Sequence, residues 1–280
     1  MEATISQILV NDWQLTQIAP LEETHSSWLW RVVTPSGPAV LKLIKPHATS
    51  ELPGAEALRY WHGLGAARLM AASGHAVLLE WLEGPSLGDL TRAERDDEAT
   101  QALAGVMRML HRPRNFAPEG LTPLSDWLEP LTHGTHHGWP RHSGGDMLMA
   151  KGLARRLLAS ATSQIPLHGD LHHDNILWSG SEWKAIDPKG LIGDPAFDAA
   201  QSFRNPTGAE LLTRRYERIA HLANIYAAEL GYSPARLLGW AAVQCAISLI
   251  WTREVGKDCT DDLALLPRLL AAYGTVPEPV

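Results

Sequence analysis

The stretch H-G-D-L-H-H-D-N-I-L-W (168–178), followed after a short bridge by I-D-P-K-G-L-I-G-D-P-A-F-D (186–198), decides how this chain is read. Residues 176–186 have the pattern of a β-hairpin turning at Ser179-Gly180-Ser181. Such a hairpin folds Asp187 back beside the loop that carries Asp170 and Asn175. Asp187 and Asn175 then offer the hard oxygen ligands that Mg²⁺ takes, and an ion that keeps several waters needs few ligands from the protein. Asp170 remains as a carboxylate able to orient a hydroxyl and accept its proton. A lone H-x-D reads as an ordinary turn. The Asn five residues on and the Asp at hairpin distance give the string its chemical meaning.

This spacing is the one by which protein kinases carry out phosphoryl transfer. Their H-R-D loop has an Asn five residues beyond its Asp, and a metal-binding Asp follows at hairpin distance. Gly169 replaces the Arg of that loop, and Pro188 stands where a Phe would follow the metal-binding Asp. Both departures point to a small-molecule kinase of the same fold. The expected cofactors are ATP and Mg²⁺, with Asp170 as base and Asn175 and Asp187 on the metal.

Working outward, the first eighty-odd residues read as antiparallel strands interrupted by one helix. Runs at 28–34 and 38–44 flank Pro35-Ser36-Gly37, a helix is expected over 51–62, and two short strands over 68–72 and 76–81. Glu83-Gly84-Pro85 breaks the pattern. Beyond it, Leu103, Val106, Met107 and Leu110 form the stripe of a core-facing helix. Further helices are expected over 146–159, 209–230, 234–253 and 261–273. The order predicts an α+β, bilobal protein-kinase-like fold. A small antiparallel β lobe with one helix (1–83) would bind nucleotide, and a larger, mainly helical lobe (84–280) would hold the catalytic and acceptor sites.

A phosphate site needs a cation and an acid to hold it. Lys42 lies centrally in the strand A-V-L-K-L and is the expected phosphate-binding lysine. Glu51 and Glu56 both qualify as its partner. Glu51 is preferred because it falls near the helical face of Leu58, whereas Glu56 lies about 200° away from it. No Gly-rich loop precedes the first paired strand, so Ser26 and Ser27 are the candidates for touching phosphate there. At the hinge, the carbonyl of Glu80 and the N–H of Leu82 are the candidate adenine contacts.

Charge and composition narrow the class. The 280 residues carry a formal net charge of −7, with 45% hydrophobic and 20% charged residues, an ordinary globular balance. The acidic balance argues against nucleic-acid or anionic-membrane partners and permits a cationic small-molecule substrate. Two cysteines, Cys245 and Cys259, imply no disulfide framework. No apolar run is read as membrane-spanning and no leader is evident, so a cytoplasmic location is expected. His133, His136 and His137 lack an acid or Cys at ligand spacing and are not read as a zinc site. Glu254, Asp258, Asp261 and Asp262 could face a guanidinium-bearing acceptor.

Taken together, G-A-E-A-L-R-Y-W-H-G-L-G-A-A-R-L (54–69), L-L-E-W-L-E-G (78–84), L-H-R-P (110–113), H-G-D-L-H-H-D-N-I-L and I-D-P-K-G-L-I-G-D-P-A-F-D resemble the aminoglycoside and hydroxyurea phosphotransferase family, and within it the streptomycin 6-phosphotransferase branch. Leu64 departs from the family pattern, which has an Arg there. The resemblance implies phosphorylation of a hydroxyl on an aminoglycoside-type molecule, with streptomycin the leading candidate. It also implies a bracing role for Asp198. The alternative is a kinase of a non-antibiotic hydroxyl metabolite, and oligomeric state is left open.

Overall fold

Alternating burial builds the first lobe. The computed structural model describes residues 5–116, 118–134, 139 and 141–277. Strands β1 (Thr16–Glu23), β2 (Ser27–Thr34), β3 (Gly37–Ile44), β4 (Leu69–Ser73) and β5 (Ala76–Glu80) form an antiparallel sheet in the order β1-β2-β3-β5-β4. Side chains alternate across a strand. Trp30, Val32, Ala39, Leu41, Ala76 and Leu78 therefore share a core on one face, packed with residues of helix α1 (Gln7–Asp12). Val40, Lys42 and Leu79 point the other way, into a cleft. The expected hairpin closes with Thr34 opposite Gly37. Strand β1 is an addition: all eight of its residues are exposed and it contains Pro20, so neither burial nor alternation marks it.

Helix α1 was not expected, and the helix that was expected in this lobe differs at its start. Thr49–Glu51 forms a 3₁₀ turn, and helix α2 (Pro53–Trp61) begins only at Pro53, a residue suited to a first helical turn. Glu51 thus precedes the helix. Both Gly54 and Gly190 lie where this helix meets the segment after Asp187. A Cβ on Gly54 would stand 2.1 Å from the Pro188 carbonyl oxygen, and one on Gly190 would stand 2.2 Å from that of Pro53. The two backbones touch directly. At the helix's far end, the Trp61 indole N–H donates to the Leu110 carbonyl (3.1 Å), and its ring stacks on His168 at 6.1 Å.

Beyond the hinge, where the Gly84 N–H donates to the Trp178 carbonyl, the chain is mainly helical. Helices α3 (Leu87–Arg92) and α4 (Asp96–Leu110) follow, and the four stripe residues of α4 are buried. Short helices α5 (Leu124–Trp127) and α6 (Glu129–Thr132) precede α7 (Arg141–Ala159). Strand β6 (Thr122–Pro123), β7 (Ile165–Leu167) and β10 (Leu191–Gly193) make a three-stranded sheet, while β8 (Ile176–Trp178) and β9 (Trp183–Ala185) are the expected hairpin. A 3₁₀ helix not foreseen from the sequence spans Pro195–Arg204. The stretch read as one helix over 209–230 is two, α8 (Glu210–Thr213) and α9 (Tyr216–Leu230). Helices α10 (Pro234–Glu254) and α11 (Thr260–Thr275) complete the lobe.

Helix α10 corrects one expectation, since it is long and apolar enough to cross a membrane. Most of it is buried against the 3₁₀ helix, α7, α9 and α11, which is the situation of a core helix. Cys245 lies on it, fully buried.

Replacing Gly190, whose φ is +67°, by Ala should destabilise the chain by at least about 2 kcal/mol, because left-handed strain adds to a clash with rigid backbone. Gly180→Ala, at a positive φ with open space around it, should cost roughly half as much or less. Denaturant unfolding curves compare the two. Equal midpoints would contradict the tight contact.

Candidate active site

The loop carrying Asp170 is held from behind by a buried carboxylate. Asp198 accepts from the His168 backbone N–H (3.0 Å), the Gly169 N–H (2.8 Å) and the His111 ring Nε2 (2.9 Å). Burial opposes its ionisation, but the His111 hydrogen bond, the neighbouring imidazoles and the Gly169 N–H outweigh this and hold its carboxyl below the usual range. The bracing expected at Asp198 is thus visible as geometry. His168 Nε2 lies 2.9 Å from the Ile186 carbonyl and its Nδ1 accepts from the Asp170 N–H at 3.2 Å. This pattern fits the neutral ring that burial favours, its pKa lying below the ordinary value. His168 organises the loop.

Asp170 is half-buried and its two oxygens differ. Oδ1 accepts from the Gln201 side-chain amide at 2.6 Å. Oδ2 has only a long contact, 3.4 Å, with Asn175 Nδ2, which donates more closely to the Asp170 carbonyl at 2.9 Å. Asn175 is thereby fixed with its amide nitrogen toward Asp170, leaving its amide oxygen for another partner.

Across the cleft, Glu51 is buried with two lysines on its carboxylate. Oε2 is 3.1 Å from Lys42 Nζ and Oε1 is 2.5 Å from Lys189 Nζ. Lys42 also contacts Asp187 directly, and Lys189 Nζ lies 4.0 Å from the second Asp187 oxygen. Glu51 therefore meets Lys42 from a turn preceding the helix, while Glu56 pairs with Arg59 on the surface. Asp187 has a left-handed backbone, φ +59°. Burial works against its charge, but Lys42 and Lys189 prevail and hold its pKa down at about 2. Lys189 is pushed above its ordinary value: burial opposes the charge, and Asp187, Asp170 and Glu51 more than compensate.

Of these residues, Lys42, Asn175 and Asp187 border a cleft of about 490 Å³ between the lobes. Lys42, Ser27, Glu80, Leu82, Asn175 and Asp187 line it, with apolar walls from Leu29, Val40, Ala67, Leu79 and Ile186. Ser27 Oγ is buried there without a hydrogen-bond partner in the structure, which suits it to a ligand oxygen. Ser26 is a correction. It is not among the lining residues, and its carbonyl accepts from the Lys45 N–H; Thr24 lines the cleft beside Ser27 instead. The Glu80 carboxylate is occupied, accepting from Lys184 and from the Arg68 N–H, both at 2.8 Å. It ties the hinge to strand β9.

Sequence reading missed Lys189 and Gln201. The first stands inside the quoted I-D-P-K-G string, where a lysine two residues after a metal-type Asp was a usable signal. The second has none, because its link to Asp170 spans 31 positions. The acidic cluster is also corrected. Asp262 is buried and takes a two-point bond from Arg204 (3.1 and 2.6 Å) plus the Ser248 hydroxyl. Asp261 pairs with Arg214, and Asp258 accepts from Thr260 within its own turn. Asp261 and Asp262 thus already hold internal cations. His136 and His137 lie outside the described residues.

A family model described as aminoglycoside/hydroxyurea antibiotic resistance kinase matches residues 12–256. Among curated relatives, a streptomycin 3''-kinase of Klebsiella pneumoniae is 37% identical, covering 85% of this chain and 89% of its own. A streptomycin 6-kinase of Streptomyces glaucescens is 30% identical over 92% and 85%, and a hydroxyurea phosphotransferase of Kitasatospora aureofaciens is 31% identical over 88% and 71%. Among solved structures, a thermostable aminoglycoside phosphotransferase in ternary complex with AMP-PNP and hygromycin B aligns with a TM-score of 0.69 at 16% identity, covering 97% of this chain and 98% of that one. A choline kinase of Streptococcus pneumoniae aligns at 0.65 and 14%, over 96% and 97%. These structures show a shared kinase-like fold.

Asp198 generates a pH prediction. Its folded pKa is depressed, so the stability it supplies is present above the unfolded carboxylate value of about 3.9 and is lost as pH falls through the lower folded value. Asp198→Asn should destabilise the chain at pH 7 by about 3 kcal/mol or more, and the gap from the parent should shrink below about pH 4. Unfolding free energies from pH 3 to 7 measure this. A gap that stays constant with pH would contradict the role drawn for the carboxylate.

Proposed function

The chain belongs to the aminoglycoside/hydroxyurea antibiotic resistance kinase family, and on that premise we propose that it transfers the γ-phosphate of ATP to a hydroxyl of streptomycin or a closely similar aminoglycoside. The observation that carries the reading is the convergence of Lys42, Asn175 and Asp187 on one interlobe cleft, with Asp170 beside them. We assign nucleotide binding to the lobe of residues 1–83 and acceptor binding to 84–280. We propose a cytoplasmic location, where ATP is available.

The residues present fit the nucleotide and its metal. Ser27 offers an unsatisfied hydroxyl to the cleft, Lys42 a fixed ammonium, and the hinge backbone an acceptor at the Glu80 carbonyl and a donor at the Leu82 N–H for a base edge. Among the described residues no group of three or more His, Cys, Asp or Glu side chains is poised for a metal. Mg²⁺ bound mainly by phosphates and water needs only one or two protein oxygens. The ionised Asp187 and the Asn175 amide oxygen would hold it. When bound, Mg·ATP would supply the phosphoryl group and the countercharge for its oxygens.

The chain's own residues do the remaining work. Gln201 fixes Asp170 through Oδ1, so Oδ2 is the oxygen that accepts the acceptor hydroxyl's proton. Asp198 and His168 hold the loop so that this oxygen does not turn away. The relatives divide between the 3'' and 6 hydroxyls of streptomycin, so the product's own chemistry must identify the position.

Purified protein with Mg·ATP should release ADP with streptomycin, and NMR of the product should place phosphate on one hydroxyl. Asp170→Asn should lower kcat by about 10²–10⁴ with nucleotide affinity nearly unchanged. ADP release with hydroxyurea or a neutral hydroxyl metabolite, and with no aminoglycoside, would replace the acceptor proposed here. Turnover unaffected by Asp170→Asn would remove the base.

A further inference from the structure

We infer that Lys189 is a second phosphate-binding cation, holding the transferring γ-phosphoryl group while Lys42 serves the inner phosphates; the inference rests on the phosphotransfer reading above. Its geometry is unusual for a merely structural lysine. Glu51 is already paired with Lys42 at 3.1 Å, yet a second ammonium is brought to its other oxygen at 2.5 Å. Removing a second ammonium from water is costly, and fixing Glu51 does not require it. Both lysines lean toward Asp187, so two positive charges converge where the phosphates' negative charge would lie.

The catalytic loop cannot supply this charge itself. Between Asp170 and Asn175 its basic side chains are His172 and His173. Nδ1 of His172 accepts from the Asp174 N–H at 3.3 Å, and His173 is fully buried. Arg92 is engaged by Asp89, Asp174 and the Thr207 carbonyl, and Arg204 by Asp262. Lys189, by contrast, is built against the loop. Its N–H donates to the His168 carbonyl at 2.7 Å. A Cβ on Gly169, whose φ is +80°, would stand 2.7 Å from Leu191 Cγ and 3.2 Å from Lys189 Cβ. The Arg-to-Gly departure in the H-x-D string is therefore the space in which the Lys189 segment crosses behind Asp170.

In the transfer, a bond forms between the acceptor oxygen and the γ-phosphorus while the bond from that phosphorus to the β-bridging oxygen breaks. The hydroxyl proton passes to Asp170 and ADP departs. Negative charge on the γ oxygens persists throughout, and a fixed ammonium beside them stabilises it.

The test compares Lys189→Gln and Lys42→Gln in the full chain, titrating each with Mg·ADP and Mg·AMP-PNP by calorimetry and measuring kcat with streptomycin. Lys189→Gln should bind Mg·ADP within about threefold of the parent, lose roughly tenfold of its preference for Mg·AMP-PNP, and lose about 10²-fold or more in kcat. Lys42→Gln should weaken both nucleotides. In the unaltered protein, lysine acylation followed by mass spectrometry should show Lys189 protected by Mg·AMP-PNP beyond Mg·ADP, a readout that needs no variant to fold. An unchanged nucleotide preference in Lys189→Gln, or equal protection by both nucleotides, overturns the inference. A parent that shows the γ-dependent protection but phosphorylates no aminoglycoside would fail the acceptor reading and leave the Lys189 assignment intact.

Discussion

The Glu51 carboxylate, buried between Lys42 and Lys189, is the interaction on which the site depends. It joins the small lobe's central strand to the segment after Asp187 through two ammonium groups, each of its oxygens facing one of them. Buried ions demand partners on every side, and Glu51 satisfies that demand with two cations from distant parts of the chain. The cleft is the consequence. Lys42 is positioned by strand β3, Lys189 by its backbone bond to His168, and Asp187 lies between them.

Packing enforces the same arrangement. Helix α2 cannot swing away from the Asp187 segment without opening the backbone contact at Gly54 and Gly190, and its other end is anchored by Trp61 on Leu110 and His168. The hydrophobic core runs from Trp61, Val77 and Leu79 into Leu103, Met107, Leu171 and Phe197 without a break. The lobes thus share a core behind the cleft while Glu80 and Lys184 clasp them at the hinge. This geometry suits the phosphate-binding role proposed for the cleft.

Local patterns were legible in the sequence, and long-range pairings were not. The β8–β9 hairpin and the β2–β3 turn are set by neighbouring residues, and each is found where expected. Strand β1 escaped because an exposed edge strand needs no alternation. Glu51 was matched with the right lysine for a partly wrong reason: Pro53 starts the helix after it, so its position comes from a 3₁₀ turn and not from a helical face. Asp262 reads from the sequence as a carboxylate free to face an acceptor because its partner, Arg204, lies 58 residues earlier. Gln201 on Asp170 was invisible for the same reason.

The most direct test of this account sets Glu51→Gln beside Glu56→Gln and measures kcat/KM for Mg·ATP with a saturating acceptor. Removing the buried charge between two lysines should cost about 10²-fold or more, whereas the surface Glu56, paired only with Arg59, should change the value by less than about twofold. Two variants that both turn over like the parent, or a larger loss at Glu56, would contradict it.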